Sequence, residues 1–181
     1  MSRSLRARRG AAVLGAGLLT LVVAVPASAH ITVPDGASVP SGGSAVIHLR
    51  VPHGCAGTAT DTIEVQLPDG VVSALPEYIP GWTLDVQRVT SAPYDESGTT
   101  KTDRVGVITW SGGDLPDFAF YDFGIKATFL FDPDTVVALP VVQKCGAVEF
   151  DWIEPVVAGQ PEPEHPTPTI TIGDPVPATG D

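Results

Sequence analysis

The sequence predicts an all-β protein: an antiparallel immunoglobulin-like β-sandwich of seven or eight strands with one disulfide. Three observations predict it. Short β-type runs follow one another between Gly, Pro and Asp, no stretch has the period of an amphipathic helix, and the only two cysteines lie in a chain that carries an export signature.

The export signature comes first. Arg3, Arg6, Arg8 and Arg9 precede an apolar stretch from Ala11 to Val25, and Pro26, Ala27, Ser28 and Ala29 close it. Basic, apolar and small-residue segments in that order mark a secretory signal, so residues 1–29 are expected to be removed, leaving His30 first. The apolar stretch is about 15 residues, short of the roughly 20 that span a bilayer, and small residues follow it. Adjacent Arg8 and Arg9 leave both the Sec and the twin-arginine route open.

Strands are expected at Ser44–Val51, Thr62–Leu67, Trp82–Thr90, Arg104–Trp110, Asp122–Phe131, Val136–Val142 and Ala147–Ile153, with a short edge strand at Thr169–Ile172. In the second run Ile63, Val65 and Leu67 alternate with Thr62, Glu64 and Gln66, the pattern of a strand with one face in a core and one in water. Pro68-Asp69-Gly70 and Ser111-Gly112-Gly113 supply turn signals, and together with the spacing of the runs they favour a sandwich over a barrel. Residues 30–172 are read as one domain and 173–181 as a flexible tail. No membrane anchor is expected after signal cleavage.

Without the export segment, 6 Lys and Arg stand against 21 Asp and Glu, a formal charge of −15. That excess argues against nucleic acid or anionic lipid as partner, because both need clustered cations, and it suits solubility and the attraction of cations. Cys55 and Cys145 are expected to pair in an oxidising compartment. Closing a loop of about 90 residues stabilises a fold by roughly 4 to 5 kcal/mol in the chain-entropy model.

The sequence has no nucleophile elbow, phosphate loop, HExxH, CxxC or dinucleotide fingerprint, so it is expected not to be an enzyme. His30 is the distinctive candidate. Cleavage would give it a free α-amine beside its imidazole, and those two nitrogens close a six-membered chelate ring suited to tetragonal Cu(II). Both deprotonate near neutral pH when a metal competes. His48 falls on the polar side of its strand, His53 in a turn beside Cys55, and His165 in a Pro/Glu-rich loop. Trp82 and Trp110 read as core aromatics, while Trp152 is interleaved with carboxylates in Glu149-Phe150-Asp151-Trp152-Ile153-Glu154. No run predicts an exposed aromatic cluster.

Several segments in order resemble the YcnI-like copper-binding domains of bacteria. They are Ala29-His30-Ile31-Thr32-Val33, Val51-Pro52-His53-Gly54-Cys55, Ile79-Pro80-Gly81-Trp82, Asp122-Phe123-Gly124, Gln143-Lys144-Cys145, the Trp152 segment and Pro163-Glu164-His165-Pro166-Thr167-Pro168. The resemblance implies a β-sandwich outside the cytoplasm, in the cell envelope or the medium. It implies one Cu(II) held by the amine and imidazole of His30, with a carboxylate and Trp152 completing the site. It points to Asp122 as the carboxylate, with Asp117 and Glu149 behind it. CopC- or CopD-like copper-handling proteins are the partners it suggests. Two other readings compete: an immunoglobulin-like adhesion or interaction module without metal, and a copper oxidase of the histidine-brace type, which needs a second histidine beside His30.

Overall fold

Alternation of apolar and polar side chains dictates the first layer. Along Ser44–Val51 the side chains of Ile47, Leu49 and Val51 are buried, while Val46, His48 and Arg50 keep some or most of their surface in water. In the computed structural model, which describes residues 30–34 and 38–177, this segment is one of eleven strands. They are β1 (Ser38–Pro40), β2 (Ser44–Val51), β3 (Thr60–Gln66), β4 (Val71–Pro76), β5 (Thr83–Glu96), β6 (Thr99–Leu115), β7 (Tyr121–Phe129), β8 (Val136–Ala138), β9 (Val141–Cys145), β10 (Val148–Trp152) and β11 (Thr169–Gly173). There is no helix among the described residues. The export segment and the last four residues of the expected tail lie outside them.

The strands form three sheets, ordered β2-β7-β4, β10-β9-β3-β6-β5 and β1-β11-β8. The first two bury a shared core: Phe123 of β7 meets Trp110 of β6 edge to face, with ring centroids 5.3 Å apart, and Trp82 at 5.2 Å. Trp82 lies so close over Gly113 that any Cβ there would fall 2.0 Å from its ring, so the glycine expected to mark a turn at Ser111-Gly112-Gly113 instead makes room for the indole inside the continuous strand β6. The small third sheet adds Val39, Val137, Ile170 and Ile172 to the same core.

Three details correct the expected strand list. Among the described residues the count is eleven rather than seven or eight: the Val136–Val142 run is two strands, and β1 and β4 are added. Pro140 offers no N–H to a ladder, so the chain breaks there, and β8 pairs with β11 while β9 pairs with β3 and β10. β4 was not foreseen: Ser73 takes a positive φ of 51° at a register shift between Val72 and Leu75, which scrambles its alternation. β1 is too short to show a period, and its pairing with β11 is the one parallel pairing between strands among the described residues.

Cys55 and Cys145 are joined, with Cα atoms 5.8 Å apart. The bridge ties the turn after β2 to the end of β9. It therefore fixes the β9–β10 edge of the larger sheet to the smaller one.

Candidate metal centre

Three separate pieces of chain meet around His30. The first is the N-terminal segment itself. Ile31 is buried, and Thr32 exchanges two backbone hydrogen bonds with Arg50 of β2 (3.2 and 2.8 Å), so His30 is held two residues before a fixed point. The second piece is the end of β10. Trp152 pairs with Val141 in register and is 5% exposed, and its ring centroid lies 5.9 Å from the His30 imidazole, edge on. Its indole N–H donates to the Gln143 side-chain oxygen at 3.1 Å.

The third piece is the chain that leaves β10 and returns to it. Glu154 and Pro166 form a parallel bridge: Glu154 N–H donates to the His165 carbonyl (3.1 Å) and Thr167 N–H to the Glu154 carbonyl (2.8 Å). The Glu154 carboxylate also accepts the His165 N–H at 2.7 Å. These bonds close the excursion 155–164 and bring the side chains of Glu162 and His165 back toward the N-terminal segment and β10. Glu162 Oε1 comes 3.3 Å from His30 Nδ1. The His165 ring lies 5.0 Å from Phe150 and 5.0 Å from Trp152, so both imidazoles touch the same indole.

The expected carboxylates are engaged elsewhere. Asp122 faces Arg50 across the β2–β7 ladder, and both its oxygens accept from that guanidinium, at 2.8 and 2.7 Å. The Arg50 hydrogen bonds hold the Asp122 carboxyl below the usual carboxylate range. Thr32 lies on the other side of β2, so two strand spacings, about 9–10 Å, separate its backbone from that of Asp122. Glu149 pairs with Lys144 at 3.0 Å, and Asp117 lies 3.7 Å from His53. His53 also directs Nδ1 at the Gly54 carbonyl, and His48 lines the outer face of the smaller sheet beside Glu77 and Gly124.

The structure thus brings His30, Trp152 and Glu162 together, while Asp122, Asp117 and Glu149 face other side chains. Among the described residues no three His, Cys, Asp or Glu side chains converge as a metal cluster. In the unprocessed chain the His30 nitrogen is an amide, so its donor set there is smaller than that of a free N-terminus. Glu162 goes unnoticed in the sequence, and His165 reads there as a loop residue, because a Pro/Glu-rich run has the pattern of solvated loop. The one available signal was that this run joins the Trp152 strand to the last one and so must pass near both.

One further surface was not foreseen. Phe118 is 91% exposed and Phe120 59%, on the turn between β6 and β7, and Arg50 lies over the Phe120 ring at 4.5 Å.

Residues 30–172 match the model of a single family, a domain of unknown function (DUF1775). The chain belongs to this family. Among solved structures, an uncharacterized protein from Nocardia farcinica whose crystal structure reveals an immunoglobulin-like fold is similar to this DUF1775 chain. The two are 29% identical with a TM-score of 0.64, over 81% of this chain and 99% of that one. The likeness establishes the immunoglobulin-like architecture of the DUF1775 domain. No curated protein matches the chain.

Proposed function

We propose that this DUF1775 protein is an exported copper-binding protein that holds one Cu(II) through the amine and imidazole of a processed His30. It sequesters the ion or hands it to CopC- or CopD-like partners outside the cytoplasm, with no bond-making step of its own. The observation that carries this reading is the approach of Glu162 to His30. An Nδ1-to-Oε1 separation of 3.3 Å is longer than the usual 2.7–3.2 Å of an N–H···O hydrogen bond. Two donors each about 2.0–2.2 Å from one ion lie about 3 Å apart, so the spacing suits two neighbouring ligands of a small divalent cation. The residues present fit such an ion: imidazole and carboxylate side by side, an amine released by processing, and an indole covering one flank. The resemblance to YcnI-like domains supports copper over other ions.

The test is Cu(II) titration of two exported, processed proteins, the wild type starting at His30 and a variant with one Gly inserted between Ala29 and His30. One-to-one binding by the wild type alone supports the chelate. Equal binding by both, or none, overturns it.

A second reading, an interaction module without metal, draws on the exposed Phe118 and Phe120, since surface aromatics of this size mark contact sites. A wild-type protein that stays metal-free at micromolar Cu(II) favours it.

A further inference from the structure

Gln143 is a polar residue placed where polarity is costly. It sits in the middle of β9, 2% exposed, between Ile63 of β3 and Phe150 of β10 in the ladder. Burying an amide costs about 1–3 kcal/mol unless its atoms find partners, so an apolar residue would be the cheaper choice for a core strand. Each polar atom here is occupied. Nε2 donates to the His53 carbonyl at 2.9 Å and to Thr60 Oγ1 at 2.7 Å, and Oε1 accepts the Trp152 indole N–H at 3.1 Å.

These partners fix which way the amide points. An indole N–H only donates and a backbone carbonyl only accepts, so exchanging O and N would set donor against donor and acceptor against acceptor. Thr60 stands within 3.5 Å of Cys145 Sγ, and Cys145 is bridged to Cys55, so the amide is braced on its far side by the covalent link between the sheets. The result is an unbroken chain from disulfide to indole. Trp152 cannot rotate about its side-chain bonds without abandoning a buried acceptor.

We propose that Gln143 is a positioning residue of the candidate metal centre: it holds the Trp152 indole against His30 and acts on the ion only through that ring. The inference rests on the copper reading above. Its test is a double-substitution cycle on the processed protein, with Gln143→Met, which keeps the volume and loses the amide, in the Trp152 and Trp152→Phe backgrounds. Gln143→Met is expected to weaken Cu(II) binding about tenfold beside Trp152 and less than about twofold beside Phe, the size of one lost buried hydrogen bond. The same factor in both backgrounds, or no effect in either, overturns the proposal. If Gln143→Met does not fold, Gln143→Leu takes its place in the cycle, because it too removes the acceptor of the indole N–H. A second readout separates this inference from the copper reading. The indole N–H resonance of Trp152 is expected to be protected from solvent exchange in the wild type and unprotected in Gln143→Met. Should the wild type bind no Cu(II), the copper reading fails, and Gln143 is judged on that proton alone: unchanged protection overturns the clamp.

Discussion

Trp152 and Glu162 both approach His30, yet they are held in opposite ways. Trp152 ends a sheet strand, is 5% exposed, and is anchored through Gln143 and Thr60 toward a disulfide. Glu162 lies between two prolines on an excursion closed at its base, and its side chain is 62% exposed. One wall of the site is therefore built by the core, and the other is carried on the surface. A binding site that must load and release its cargo benefits from such a division: the fixed wall defines the place, and the exposed one is free to meet the ion and to let it go.

Four experiments test this contrast. The largest effect is expected from replacing both Cys55 and Cys145 by Ala, which removes the covalent brace behind the fixed wall. Stability in denaturant titration should fall by about 2–5 kcal/mol, and a loss within error would show that hydrogen bonding alone holds the β9–β10 edge. Inserting Gly before His30 should come next, weakening Cu(II) by about a hundredfold or more while leaving the fold intact by circular dichroism. An unchanged affinity would remove the N-terminus from the site.

Glu162→Gln keeps the shape of the exposed wall and removes its charge. Cu(II) affinity is expected to fall about tenfold with no change in unfolding midpoint, because the side chain is exposed and contributes to binding alone. A drop in stability would mean that the carboxylate is structural. Asp122→Asn should show the reverse, with unaltered Cu(II) binding and a small stability cost, about 1 kcal/mol or less at pH 7. The sign follows from the Arg50 pair. A carboxyl whose folded value lies below its unfolded one stabilises the protein above the unfolded value near 4 and loses that contribution as the pH falls through the folded value. The wild type and Asp122→Asn should therefore converge in stability as the pH is lowered from 5 toward 2. Curves that stay parallel would place the stabilising role of Asp122 elsewhere.

What the sequence disclosed follows the range of the forces involved. β2, β3 and β7 were legible because alternating burial writes a period of two into the residues themselves. The sandwich class followed from strand spacing, and the Cys55–Cys145 pairing from count and compartment. Local pattern failed at Ser73, where a bulge breaks the alternation of β4, and at Pro140, where one apolar run serves two sheets. The site divided in the same way. His30 stood out through its own chemistry, and Trp152 through its carboxylate-rich context and the resemblance. Glu162 was hidden because only a bridge between Glu154 and Pro166 turns its loop back to the N-terminus, and no local residue pattern encodes that distance. Asp122 was attractive for its neighbours Phe123 and Gly124, but its partner Arg50 lies 72 residues away in the chain.

The parallel pairing of β1 with β11 bears on the order in which the molecule assembles. Ser38 faces Thr171 and Pro40 faces Gly173, so the strand nearest His30 has its ladder partner almost at the far end of the chain. Contacts this distant in sequence form slowly, since loop closure must precede any reward from pairing. A nascent chain emerging from its N-terminus exposes His30 early but cannot complete the pocket around it until the Glu154–Pro166 bridge, just before β11, has closed. Assembly of the site is thus coupled to completion of the domain, and a truncated or stalled chain presents a lone histidine rather than a finished binding place.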